Sequence, residues 1–200
     1  MSQVIGLEYA ADAAAPTPAL IKVLKASWAF GLLFAVLFAA LALLAALMAG
    51  AMLFYDGPHL QVGSQSFELT QASKALPGFI VVGTLPWATK AAYAVVAVAR
   101  TLPAIMLFWN LRLLFRLYAA GLVFAPRNAA VIKTIGLWLV ASALAPFACH
   151  LFLSSLGREL DHAWFHMQEV QAFVLGGLVF VIAQVMQVGH EIEEDRSQFV

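Results

Sequence analysis

Charge is what this sequence has least of. Only 11% of its 200 residues are Asp, Glu, Lys or Arg, against about 25% in soluble globular domains. The eleven Lys/Arg balance the eleven Asp/Glu, so no net field draws the chain to nucleic acid, and no direct nucleic-acid partner is expected. Cysteine is nearly absent. With Cys149 alone, an intrachain disulfide, a CxxC redox pair and a multi-cysteine metal site are all excluded. Glycine-rich phosphate loops and serine-nucleophile motifs are also missing, so no catalytic residue and no cofactor is assigned, and the reading is not that of an enzyme. What remains is hydrophobic: 63% of the residues and a mean hydropathy of +0.89 place the chain among integral membrane proteins.

Taken in order, residues 1–25 are Ala- and Pro-rich and read as a tail ending in Lys22 and Lys25. A secretory signal is the competing reading, but the uncharged run from Ala26 to Tyr55 far exceeds the 7–15 residues of a signal core. Helix one is expected over 27–55, with Trp28 and Tyr55 as interfacial anchors. In it, Ala42, Ala46 and Gly50 form a small-residue stripe for a close neighbour. An external segment, 56–90, opens with an alternation around Gly63 and Ser64 that predicts a hairpin. It continues with a stretch broken by Pro77, Gly78, Gly83 and Pro86, read as an interfacial or re-entrant approach. Helix two is expected over 91–120, a cytoplasmic turn over 121–125, and helix three over 126–153 with a kink at Pro146. An external linker, 154–169, leads to helix four over 170–190, where Gly176 and Gly177 permit close packing, and the chain closes in an acidic tail, 191–200.

Helix two carries Arg100, and an arginine at mid-bilayer costs about 2.5–3.5 kcal/mol on insertion scales. A span from Lys90 to Arg112 would centre Arg100. A span from Arg100 to Tyr118 would leave it at the interface, and this second register is favoured because Gly121 then stands as the left-handed residue closing the helix. Orientation follows from basic residues near the spans. Lys22, Lys25, Arg112, Arg116, Arg127, Lys133 and Arg196 fall on one side, and Lys74, Lys90 and Arg158 on the other. The expected fold is therefore all-α, with four transmembrane helices and both termini cytoplasmic.

The stretch from Leu111 to Gly136 joins two of these helices. Leu111, Leu114 and Phe115 leading to Gly121, Phe124, Asn128, Ile135 and Gly136, together with the run from Ala183 into the acidic ending, resembles the bacterial four-helix membrane family designated domain of unknown function 2975. The resemblance implies a multi-pass inner-membrane protein without an assigned activity, and a partner in a small helix-turn-helix regulator of the Cro/C1 type. Ala125 stands where that family often has Ser or Thr. The missing hydroxyl leaves a helix-start N–H uncapped, a loss of about 1 kcal/mol unless Asn128 or lipid headgroups compensate.

Four groups of residues invite a functional reading. Arg112, Arg116, Arg127 and Lys133 form a basic cytoplasmic cluster that could dock a phosphate or a partner, but attraction to an anionic leaflet is the stronger reading and explains the cluster by itself. Glu191, Glu193, Glu194 and Asp195 oppose the helix dipole; they either extend into solvent or form a charge lock with the basic turn. Glu159, His162, His166 and Glu169 share one helical face, which His59 could join, as a candidate metal-binding or pH-sensing face; the plain alternative is a solvated surface. His150 and His190 sit at opposite ends of the spans, too far apart to ligate one haem. The reading that results is a non-enzymatic membrane accessory or sensor coupled to a cytoplasmic partner. The alternative is a subunit of a homo-oligomeric transporter or channel, lined by Arg100, Asn110, Gln184 and Gln187.

Overall fold

The computed structural model describes residues 18–63, 67–70, 75, 77, 79–122, 126–157 and 167–197. Four helices dominate it: α1 (Pro18–Phe54), α2 (Trp87–Ala119), α3 (Pro126–Ser155) and α4 (Met167–Ser197). Each contains a stretch long and apolar enough to cross a membrane: Leu24–Phe54, Trp87–Ala119, Pro126–Ser155 and Met167–Val188. Large apolar side chains cover their outer faces, among them Leu43, Leu47, Val95, Leu144, Val174 and Val185. Hydrocarbon, not water, is the solvent that such faces match.

The helix bounds differ from the expected ones where hydropathy stops being informative. α1 begins at Pro18, within the segment read as a tail, and α4 runs on through the acidic residues to Ser197. Backbone hydrogen bonding propagates a helix beyond its apolar stretch, and in α4 it passes through Gly189. Pro103 and Pro146 lie inside continuous helices, and both are buried.

The bundle packs in chain order, with the extensive contacts between α1 and α2, α2 and α3, and α3 and α4. Aromatic pairs fix the first of these. Phe30 meets Phe115 at 5.2 Å between ring centroids, Phe38 meets Trp109 at 5.1 Å, and Phe54 meets Trp87 at 6.3 Å. Rising numbers in α1 thus meet falling numbers in α2, and the two helices are antiparallel. In the small-residue stripe of α1, Ala42 is half-buried, but the other two members do not make a close approach. Ala45 is buried, Ala46 is exposed, and a side chain at Gly50 would meet nothing within 4 Å.

α3 and α4 approach most closely at one crossing. A Cβ on Gly136 would stand 2.9 Å from the Gly176 carbonyl oxygen, and one on Gly176 would stand 2.8 Å from the Gly136 carbonyl oxygen. The two backbones touch, a contact only glycine allows. Gly177, the other half of the pair, points into open space.

Between α1 and α2 the chain forms a small antiparallel sheet in the order β2-β1-β3, from β1 (Leu60–Val62), β2 (Phe67–Leu69) and β3 (Ile80–Val81). The hairpin expected around Gly63 is the β1–β2 pair, with Leu60 opposite Leu69. The Pro- and Gly-broken stretch departs from its expectation. It returns as β3, pairs Val62 with Ile80, and enters a 3-10 turn, Val82–Thr84, whose Val82 is fully buried. A third strand lets these backbone groups bond to β1, which an isolated interfacial segment cannot do. Leu60, Val62 and Val82 share one core with Met52 of α1, Tyr93 of α2, and Cys149 and Leu153 of α3. The sheet is therefore a cap packed onto three helices.

Candidate functional site

At the cap end, Lys90 is only 5% exposed, and its ammonium donates to the carboxylate of Asp56, with which it forms an ion pair. Asp56 itself is largely exposed. The 3-10 turn presses on this point: a Cβ on Gly83 would stand 2.5 Å from the Asp56 carbonyl oxygen. Lys90, counted among the external charges, is thus a paired and buried one. The signal available in the sequence was an Asp just past helix one and a Lys just inside helix two; their pairing across 34 positions was not readable from spacing.

His59 takes part in closing the hairpin. Its Nδ1 lies 3.0 Å from the Thr70 carbonyl oxygen, and the Thr70 N–H donates to the His59 carbonyl at 2.9 Å. Of the candidate metal or pH-sensing face, Glu159, His162 and His166 lie outside the described residues. Glu169 stands half-buried in the first turn of α4. Among the described residues, no three His, Cys, Asp or Glu side chains come together as a metal would require. Cys149 is buried, with its sulfur 4.0 Å from the Val96 carbonyl oxygen, a packed small residue between α3 and α2.

The opposite end holds the basic turn, and its glycine and asparagine have structural work. Gly121 adopts φ 79°. Its N–H donates to Tyr118 and that of Leu122 to Leu117, each at 3.0 Å, which is the Schellman closure of a helix. Asn128 is fully buried in the first turn of α3, and its amide donates to the Leu122 carbonyl. It satisfies a carbonyl leaving α2 and so ties the two helices across the turn; as a donor in this bond it does not replace the hydroxyl acceptor missing at the α3 start. Phe124 lies outside the described residues.

The four basic residues divide. Arg112 holds its guanidinium 5.2 Å from the Trp109 ring centre, and Lys133 its ammonium 5.3 Å from that of Phe180, both in the range of cation–π attraction. Arg112 and Arg116 line a groove of about 430 Å³ between α1 and α2, whose floor includes Gly31, Ala35 and Phe115. Arg116 and Arg127 line a second groove, about 330 Å³, between α2 and α3, with Leu113, Leu117 and Val131. Lys133 lines neither and faces α4. The acidic residues Glu191, Glu193, Glu194 and Asp195 belong to the helical backbone of α4, and their side chains lie outside the described ones.

The residues expected to line a channel lie on α2 and α4. Asn110 is buried and donates to the Met106 carbonyl of its own helix at 2.7 Å. Arg100 is half-buried one turn beyond Val96, while Gln184 and Gln187 are half-buried on α4, which packs on α3. The chain matches no protein-family model, no curated protein and no solved structure.

Proposed function

We propose that the chain is a non-enzymatic accessory or sensor of a bacterial inner membrane, with both termini cytoplasmic, passing an external condition to a soluble partner. The continuity of α4 carries this reading. One helix runs from Glu169, in its first turn, through the apolar stretch that ends at Val188, to Ser197. It grips α3 at the Gly136–Gly176 crossing. A continuous helix moves as a unit, so a displacement at its first turn reaches the acidic turns at its other end.

Charge supports the orientation. With Lys90 neutralised by Asp56, Lys74 and Arg158 are the remaining basic residues of the cap side, against Lys22, Lys25, Arg112, Arg116, Arg127, Lys133 and Arg196 on the other. The helix register supports one depth over the other. Lys90 and Arg112 are about 33 Å apart along α2, close to the ~30 Å of a hydrocarbon core. The grooves and ring contacts put Lys133 near the level of Arg112. Arg100 then belongs near mid-span, which favours the Lys90–Arg112 register over the shorter one; a span of Arg100 to Tyr118 would draw both Arg112 and Lys133 into hydrocarbon.

The acidic helical end suits a basic partner, and small helix-turn-helix regulators, the partner implied by the family resemblance, carry a basic face. The test is purification of the full chain from its native host, beside a variant with Glu191→Gln, Glu193→Gln, Glu194→Gln and Asp195→Asn. A soluble regulator recovered with the wild type and lost with the variant supports the reading; equal recovery, or none with either, contradicts it.

A further inference from the structure

We propose that the basic end of α2 is a binding site for one anionic phospholipid, with its phosphate on Arg116 and an acyl chain in each flanking groove. Arg116 is common to both grooves and is itself exposed. Arg112 stands beside it in the first groove and Arg127 in the second. A guanidinium presents a planar fork of donors that matches a phosphate, which an ammonium does not. Among the described residues lining the two grooves there is no Asp or Glu to compete for the arginines.

Below the charges both floors are apolar, and each runs between two helices long and apolar enough to cross a membrane. The rim of the larger groove carries Trp28 and Leu32, 67% and 54% exposed. An exposed Trp beside arginines is the composition of a headgroup boundary. An acyl chain lying in such a groove replaces the solvent that an apolar floor disfavours, while the phosphate meets two cations on either side of Arg116.

The same charges could hold free phosphate, and the experiment separates the two. Full-length protein in neutral detergent is titrated with phosphatidylglycerol, phosphatidylcholine or inorganic phosphate, and bound lipid is counted by native mass spectrometry alongside thermal melting. Phosphatidylglycerol should be retained about tenfold more strongly than phosphatidylcholine, and Arg116→Gln should remove about that factor, the scale of one charge-assisted hydrogen bond. Ala35→Leu, which fills the larger groove and leaves every charge in place, should weaken retention too. Lys133→Gln, a cation at the same end but outside both grooves, should leave it unchanged. The variants' melting without lipid reports their folding. Equal retention of the two lipids, equal losses from Arg116→Gln and Lys133→Gln, or displacement of the lipid by inorganic phosphate overturns the proposal.

Discussion

Gly121 and Gly177 illustrate how differently two glycines of one chain are constrained. At Gly121 a Cβ would meet nothing within 4 Å, yet φ is 79°, so Gly121→Ala costs only the left-handed backbone, about 1–2 kcal/mol, read as a lower melting temperature in detergent. At Gly177 neither space nor backbone restrains a side chain, and Gly177→Ala should be stabilising by up to about 1 kcal/mol through helix propensity. Its neighbour Gly176 is the reverse case: Gly176→Ala sets a methyl 2.8 Å from the Gly136 carbonyl oxygen and should cost roughly 1–3 kcal/mol, the scale of overpacking. The sequence showed Gly176 and Gly177 as an equivalent pair, because which one meets α3 depends on the crossing. Gly121 was legible, since a helix ending before a basic turn needs a left-handed residue and glycine is the one that adopts it freely.

Elements join at the Asp56–Lys90 pair, which links the end of α1 to the start of α2 under the sheet. Removing the carboxylate by Asp56→Asn leaves a buried ammonium without its counter-charge. Because Asp56 is largely exposed and water screens it, the expected loss is about 1 kcal/mol, well short of that for a fully buried pair. Lys90→Met, which keeps an apolar stem and removes the charge, should recover that loss in the double variant, measured by melting of all four proteins. The helices themselves were readable from hydropathy, and the β1–β2 hairpin from alternation around Gly63. The third strand was not, because Ile80 and Val81 are too few to show a period and gain their identity from pairing with β1. The cap core escaped the sequence for the same reason: Met52, Val82 and Cys149 meet only once α1, the sheet and α3 are in place.

Across the whole molecule, four spans, a packed sheet at one end and an arginine-lined turn at the other give the chain two unlike faces, and the proposed function requires the membrane to separate them. Native Cys149 is buried and is a poor reporter of sidedness, so the measurement is made in a Cys149→Ala background. Single cysteines replace the exposed Thr84, in the 3-10 turn of the cap, and the exposed Leu122, in the turn between α2 and α3. Intact cells treated with an impermeant maleimide should label Thr84→Cys at once and Leu122→Cys only after permeabilisation. Labelling of Leu122→Cys alone from outside would contradict the orientation, and labelling of both from outside would contradict the separation of the two ends by a membrane.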